Sequence, residues 1–574
     1  MEMEINAYDT ETYNAKVFLL ADAKGHFIFD FDLNTYDMLN FLYKTSEKIN
    51  FFYNIAFDFG AILKPYLSLN DYSEFLKSKL IKFDKYKIRY INNKAFSLRY
   101  RNDTRYFFDI ANFYTQGTTY LPLNYVSKTF LNEYKDPVDR ERLATDKNYI
   151  LDNKQMVINY CVRDAYLTLK LADLYVSSVQ DTFKIMPAKF YSKASISKEY
   201  LKVYHENLLK LNKALRHNKL YNRYLKYIKN AYRGGIFNVN ILGKVDNVID
   251  IDINSAYPSF IAKIPRLDKF ELRHIDTFDK SAFTGAYHVY VKYNHFLPYR
   301  NKNIIIYPIS QEFLETYLSH EEVKFMLENF PNSIKVVDGI ALYLPSENLE
   351  FSDIYDIYEK RKQLKKSKDS QDKIKQWNLK IVMNAIYGVM AQQKPHLTQF
   401  TNLLLASYIT ASTRVKIYNE IMKIGWNNVI HVATDGILMK NVREYPENET
   451  LGEFSLSGKF DYEITYMNGL YLLANKDKLI LKNRGFKNIS INDLVNATGH
   501  TLTIKQTKFF KVLESLRQHD PQKINVKADV DKVLELYSNL EKNEIDTDKL
   551  TFEYLNFNHV YVNPIIVSEP ETFL

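Results

Sequence analysis

An α/β protein of several domains is the fold class the sequence predicts, and three observations predict it. Short stretches with period-two alternation or dense aromatic content read as strands, such as Ile249-Asp250-Ile251-Asp252-Ile253 and the stretch from Phe51 to Phe57. Longer blocks with apolar residues at three- and four-residue spacing read as helices, such as Gln376 to Gly388. The chain of 574 residues, 46% apolar and 15% aromatic, is long enough for three to five structural units with their own cores, which excludes a disordered chain. The single cysteine, Cys161, excludes a disulfide framework and a cysteine-based zinc site. The start, Met1-Glu2-Met3-Glu4, is acidic and not a signal peptide. No apolar run reaches the roughly 18 residues of a membrane span, so an intracellular protein without membrane attachment is expected. The net charge of +9, from 77 basic and 68 acidic residues, suits a basic groove better than a uniformly cationic surface.

In the N-terminal third, carboxylates recur at the expected ends of strands and helices. Asp9 and Glu11 are two apart on the expected first strand and so share one face. Asp58 follows the aromatic strand, and Asp164 lies four residues after Tyr160, on one face of a helix. Four acids from distant parts of a chain suit two divalent ions about 4 Å apart, which activate a water and stabilise the leaving oxygen of a phosphodiester. A lone Asp-x-Glu is weak evidence for this; the ordered set is stronger.

In the middle of the chain, Asn254, Ser255 and Pro258 end the Ile/Asp strand, leaving Asp252 at its end beside unpaired backbone amides. A carboxylate there holds a cation and the amides hold phosphate oxygens; an edge strand with a solvated acidic face is the other reading. In Tyr232-Arg233-Gly234-Gly235 the paired glycines let the backbone approach a phosphate, although such a tetrapeptide also fits any loop. Tyr358 to Lys366 and Gln376 to Gly388 read as two helices joined by a charged turn, with Lys380, Asn384 and Tyr387 on one face. Most of the lysines in these helices read as a solvated face. Val432-Ala433-Thr434-Asp435-Gly436 reads as a hairpin, preceded by an apolar helix around Phe400 to Arg414.

In this order the motifs resemble those of family B DNA polymerases, in particular the protein-primed branch with an N-terminal 3′–5′ exonuclease. The resemblance covers about residues 5 to 486. It implies an RNase H-like exonuclease domain followed by a right-hand polymerase with an antiparallel ferredoxin-like palm, helical fingers and a small thumb. The patterns D-x-E, N-x-x-x-D and Y-x-x-x-D make Asp9, Glu11, Asp58 and Asp164 the exonuclease metal ligands and catalytic acids, with Tyr160 and Lys135 assisting hydrolysis. Thr12, Asn54 and Phe57 match the positions that grip the single-stranded 3′ end. Tyr232, Arg233, Gly234 and Gly235 match the connector that contacts template. In motif A the resemblance gives Asp252 and Ile253 the metal, Ser255 and Ala256 the triphosphate, and Tyr257 the sugar, where its ring excludes a ribose hydroxyl. In motif B it gives Lys380 the triphosphate and Tyr387 the new base pair, with Asn384 between them; either Arg361 or Lys362 is the partner on the facing helix.

Three departures stand out. In motif C the second acid, Asp435, is the shared metal ligand, but the first is replaced by Ala433. Asp250, facing the same way as Asp252, either compensates for that loss or is an exposed strand acid. The lysine of the usual K-x-Y is lost in Gly469-Leu470-Tyr471, leaving Tyr471 as the DNA-binding candidate. The short distance from Gly388 to Asp435 leaves no room for the second insertion of the best-known members, so weak strand displacement is expected.

The expected domains are 1–185 (exonuclease), 186–262 (first part of the palm), 263–345 (first protein-priming insertion), 346–394 (fingers), 395–486 (second part of the palm) and 487–574 (thumb). In the last of these, helices are expected around Thr507 to Arg517 and Val530 to Leu540, and a strand at Val560-Tyr561-Val562. The resemblance further implies two Mg²⁺ per active site with Mn²⁺ as a substitute. It implies primer-template DNA, dNTPs, a terminal protein and a single-stranded DNA-binding protein as partners of a monomer in the host cytoplasm. A nuclease with a decayed polymerase half and a non-catalytic nucleic-acid scaffold are the rival readings; retention of Tyr257, Lys380, Tyr387 and Asp435 argues against the first, and Asp9, Glu11, Asp58, Asp164 and Asp252 kept in register argue against the second.

Overall fold

The computed structural model describes residues 4–116, 119–293, 296–301, 304–308, 310–367, 369–393, 397–440, 444–476, 478–483, 489–495, 501–535 and 560–561. The chain forms two compact units: residues 1–200, 359–385 and 507–530 make the first, and 201–358, 386–506 and 531–574 the second.

In the first unit, strands β1 (Ile5–Tyr13), β2 (Lys16–Asp22), β3 (Phe27–Phe29) and β4 (Ile49–Phe52) precede helix α1 (Ile55–Leu67). Strands β5 (Leu80–Phe83), β6 (Tyr86–Ile91), β7 (Ala95–Tyr100) and β8 (Asp103–Asp109) follow. They form one sheet in the order β3-β2-β1-β4-β8-β7-β6-β5. β4 runs parallel to β1 and β8, and every residue of its Ile-Asn-Phe-Phe sequence is buried, as a central parallel strand requires. β6 alternates buried and exposed residues, as a strand with one wet face does. Helix α2 (Lys154–Phe183) packs on β1 and β2, and Val157, Cys161, Ala165, Thr168 and Ala172 form a buried stripe at helical spacing.

In the second unit, β9 (Ile236–Val239), β10 (Ile241–Ile253) and α3 (Ala256–Ile261) lead into a four-stranded antiparallel sheet. That sheet holds β11 (Glu271–Ile275), β12 (Thr284–Val291), β13 (Leu314–Ser319) and β14 (Ile334–Tyr343), with α4 (His320–Asn329) between β13 and β14. Its order is β11-β14-β12-β13. The insertion does not have a core of its own: Tyr287, Val289, Leu318 and Phe325 share one cluster with Ile251, Ile253, Ile417 and Tyr418. Helices α5 (Asp353–Lys365) and α6 (Ser370–Met390) follow, each with residues in both units. Helix α7 (Leu403–Ile424) runs ten residues beyond the expected end, stopping at Gly425, whose φ of +86° ends the helix without a Cβ penalty. Strands β15 (Val429–Thr434), β16 (Gly436–Lys440), β17 (Phe454–Met467), β18 (Leu470–Asn475) and β19 (Lys478–Asn483) complete the main sheet. Its order is β9-β15-β16-β10-β17-β18-β19, antiparallel throughout. No helix of the described residues is long and apolar enough to cross a membrane.

The C-terminal region departs from expectation. The helix expected around Thr507 to Arg517 is present in shortened form as α8 (Val512–Arg517), between paired strands β20 (Thr501–Phe509) and β21 (Lys527–Glu535), the latter taking residues 530–535 where a second helix was expected. Lys, Gln and Glu suggest helix locally, but the alternation in Thr501 to Phe509 and the pairing partner prevail. Residues 484–486, 536–540 and Val562 lie outside the described residues; Val560-Tyr561 pairs with β10 as a strand. The expected thumb region is also divided, because residues 507–530 pack in the first unit, where Val512, Leu513, Leu516 and Ile524 join the cluster of α1 and β6.

A buried ion pair fixes the second unit. Arg414 on α7 and Glu322 on α4 are both fully buried, with Nε and Nη2 2.9 and 2.8 Å from Glu322 Oε1. Nη1 donates to the carbonyls of Arg233 and Gly234, and Glu322 accepts from the Ser319 hydroxyl in a capping box. Arg414→Ala leaves the Glu322 charge unpaired in the core and should cost about 3–5 kcal/mol. A urea titration followed by circular dichroism will read this as an earlier transition, which Arg414→Met with Glu322→Leu should largely reverse.

Candidate functional site

Each unit gathers one set of the residues singled out from the sequence. In the first, a cleft of about 810 Å³ is lined by Asp9, Glu11 and Thr12 from β1, Phe57 and Asp58 from the first turn of α1, and Tyr160 and Asp164 from α2. Asn54 and Lys135 also line it, so every residue assigned to this site from the sequence is present. Asn54 turns the chain from β4 into α1 in the left-handed region (φ +68°), and its N–H donates to Asp109 Oδ1 at 2.8 Å. Thr10 Oγ1 donates to Asp58 Oδ1 at 2.7 Å, Lys135 pairs with Asp164, and the Lys135 ammonium lies 5.0 Å from the Tyr160 ring centroid. The Cys161 thiol donates to the Asp9 carbonyl at 3.4 Å.

Burial and mutual repulsion hold these acids well above the ordinary carboxylate range. Burial first, then Asp164 and Glu11, raises Asp9 strongly. Glu11 is pushed up to about 8 by burial and by Asp164, and Asp58 to about 7 by burial against the Thr10 hydrogen bond. Asp164 is raised by burial although Lys135 opposes it. Burial alone would lower Lys135, but Asp164 and Asp9 outweigh it and hold the ammonium charged. Asp164 Oδ1 is buried without a hydrogen-bond partner. Asp9, Glu11 and the Cys161 thiol bring ligand atoms within 4.8 Å of one another, and the carboxylate oxygens of this cleft, Asp164 Oδ1 among them, suit a hard divalent cation.

The second centre lies at the end of β10. Asp252 is exposed and pairs across the sheet with Gly436, while the Ile253 N–H donates to the Asp435 carbonyl at 2.9 Å. A Cβ at position 436 would lie 3.3 Å from Asp252 Oδ1, so glycine leaves the carboxylate room. Thr434, β-branched yet left-handed at φ +64°, makes the sharp turn that presents Asp435. The register sets Asp252, Gly436 and Ala433 in one cross-strand row and Asp250, Leu438 and His431 in the next on the same face. Asp250 is pushed up to about 6 by burial and by Asp252. Ser255 adopts φ +50° before α3, and Ala256 is buried. The Tyr257 ring packs 4.5 Å from Tyr387, whose hydroxyl lies 2.7 Å from that of Tyr232.

One assignment is corrected. The Arg233 guanidinium is not available to a phosphate: it is buried and donates to the Tyr317 carbonyl at 2.7 Å and to Thr316 Oγ1 at 3.1 Å. Gly235 serves close packing instead, since a Cβ there would lie 2.9 Å from Thr434 and 3.1 Å from the Tyr257 hydroxyl. Tyr471 is buried, its ring 4.4 Å from His431.

On α6, within the first unit, Lys380 and Asn384 are exposed one turn apart. Burial first, then the charges of Arg361 and Lys365, lowers the Lys380 ammonium, whereas Lys362 lies 3.3 Å from Glu359. Of the two candidates, Arg361 is thus one whose charge acts on Lys380, as that of Lys365 also does. Lys193, over the Trp377 ring at 5.3 Å, joins this cationic face, and no local signal in the sequence marks it. Asp109, Phe509 and Asn525 were also missed; the last two line the nuclease cleft from far along the chain.

A family model described as DNA polymerase type B, organellar and viral, matches residues 10–431. The chain belongs to this family. It is a DNA-directed DNA polymerase. The DNA polymerase of Acidianus bottle-shaped virus (isolate Italy/Pozzuoli) is 24% identical to this polymerase over 533 residues, spanning 84% of the chain and 75% of the relative. Among solved structures, Phi29 DNA polymerase complexed with primer-template DNA and incoming nucleotide substrates matches with a TM-score of 0.62 at 14% identity, covering 93% of this chain and 100% of that one. The binary complex of the same enzyme with primer-template DNA gives 0.64 at 13%, with the same coverage. These likenesses show the fold: an α/β polymerase of several domains.

The nuclease cleft couples cations to protons. Its carboxyls titrate higher folded than unfolded, so the metal-free fold loses stability as pH rises from the ordinary carboxylate range through about 8. A divalent cation that binds only the deprotonated acids restores it. The rise in melting temperature on adding Mg²⁺ should therefore be larger at about pH 8.5 than at about pH 5.5; equal shifts would refute the coupling.

Proposed function

We propose that this polymerase extends a DNA primer at the Asp252/Asp435 centre and trims mismatched 3′ ends at the Asp9/Glu11/Asp58/Asp164 centre, each with divalent metal ions, Mg²⁺ by preference. The observation that carries this reading is that the motif residues fold into two separate carboxylate centres, one in each compact unit. Cations held by Asp252, Ile253 and Asp435, and by the four nuclease acids, would activate the attacking oxygen and stabilise the leaving one. Lys380 and Arg361 neutralise the triphosphate of the incoming dNTP. The backbone near Ser255 and Ala256 holds its oxygens. Tyr257 lies under the sugar and excludes a ribose hydroxyl, and Tyr387 backs the new base pair, with Asn384 beside Lys380. In the nuclease cleft Thr12, Asn54 and Phe57 hold the frayed strand, and Tyr160 and Lys135 orient the water.

The insertion at 263–345 and the Tyr232 to Gly235 connector support priming from a terminal-protein hydroxyl, with a single-stranded DNA-binding protein as a further partner. Action as a monomer in the host cytoplasm is part of the same reading. Residues 391–402 alone join α6 to α7, which supports weak strand displacement.

The test is a gel assay of a 5′-labelled primer on an overhanging template in Mg²⁺. Wild type should lengthen the primer with dNTPs and shorten it without them. Asp252→Asn should abolish lengthening alone and Asp9→Ala shortening alone. Loss of both activities in either variant would sink the two-centre reading. Asp250→Asn should slow incorporation clearly if that acid replaces the one missing at Ala433; wild-type rates would leave it a structural acid.

A further inference from the structure

We infer that the segment 507–530 forms part of the wall that binds the single strand in the nuclease cleft, with the Phe509 ring as a stacking platform for a nucleobase near the 3′ end. This rests on the exonuclease reading above and adds to it a binding element from the other end of the chain.

The segment is firmly seated beside the cleft. Asn525 Nδ2 donates to the Phe57 carbonyl at 2.7 Å, and the buried Lys64 ammonium donates to the Ile524 carbonyl at 3.0 Å. Burying a lysine is costly, so its contact with this carbonyl is a strong constraint on where the segment lies. Gly60 permits the approach: a Cβ there would stand 3.1 to 3.2 Å from Ile524, Asn525 and Val512.

From this base Phe509 stands at the cleft, 52% exposed and edge-on to Phe57, with ring centroids 5.9 Å apart and planes at 86°. The two rings thus make a right-angled aromatic corner. A half-exposed phenylalanine is ordinary on a surface; the chemistry of the cleft gives this one its meaning. The floor carries four carboxylates, and the lining cations are Lys135, already paired with Asp164, and Arg140. Cations on those carboxylates serve the scissile phosphate, and few side-chain cations remain for the rest of the backbone, so further affinity for a strand with no fixed sequence has to come from its bases. Stacking on aromatic faces supplies that affinity, because every base has a π-face. Phe57 takes one base of the frayed end and Phe509 its neighbour.

The full-length protein tests this in steady-state degradation of a single-stranded oligonucleotide in Mg²⁺, alongside fluorescence anisotropy of the same oligonucleotide with Ca²⁺ in place of Mg²⁺. Phe509→Ala should raise KM and weaken the anisotropy-derived affinity by about tenfold, with kcat little changed. Phe509→Trp should restore both and Phe509→Leu should not. An unchanged KM and affinity in Phe509→Ala, or full restoration by leucine, would overturn the inference, the latter by showing that the ring only fills space. A wild-type protein that fails to degrade the oligonucleotide would instead remove the exonuclease reading and this inference with it.

Discussion

The pairing of Arg414 with Glu322 is the constraint from which the polymerase centre takes its shape. One guanidinium satisfies a carboxylate on α4 and two carbonyls of the connector, so three distant stretches of chain meet at one buried side chain. With its carbonyls held there, the connector sets Gly235 against Thr434 and the Tyr257 hydroxyl. The left-handed turn that presents Asp435 and the Tyr257 ring are thus braced together. Arg233 extends the bracing outward, since its own side chain holds Thr316 and Tyr317 of β13. Buried charges are poor sources of net stability, but they tolerate few alternative arrangements, and that intolerance is useful beneath a catalytic hairpin.

The two carboxylate centres solve different electrostatic problems. At the end of β10, Asp252 is in contact with solvent, so its charge costs little before any cation arrives. In the nuclease cleft Asp58 and Asp164 are almost fully buried beside Asp9 and Glu11, and the cluster is strained until positive charge enters. Lys135 relieves part of that strain through Asp164. The lysine therefore has an electrostatic reason to be present before any role in hydrolysis is considered.

What the sequence disclosed and what it hid divide along the range of the interactions involved. The Ile/Asp alternation of β10, the Asp9 and Glu11 face of β1 and the Tyr160 to Asp164 spacing on α2 are local periodicities, and each placed its acids correctly. The helix pair α5 and α6 was legible for the same reason, but the choice between Arg361 and Lys362 required their packing. Arg233 looked like a phosphate contact because a tetrapeptide does not reveal that Thr316 and Tyr317 will capture its side chain. The burial of Tyr471 was hidden likewise, since it depends on His431 across the sheet. At the C-terminus, residues with helical preference were taken into strands by a pairing partner that no window of sequence contains. Phe509 and Asn525 carried no signal, for their meaning comes from Phe57, more than 400 positions earlier.

The discontinuous build of the first unit also orders events in time. A ribosome completes residues 1–200 long before it reaches 507–530, yet Val512, Leu513, Leu516 and Ile524 belong to the core around α1 and β6. Until they emerge, the nascent nuclease carries an uncovered apolar face of the kind that chaperones and proteases recognise. Its core closes only when residues 507–530 have been translated. A chain terminated before them keeps that face exposed, as aggregation-prone species do.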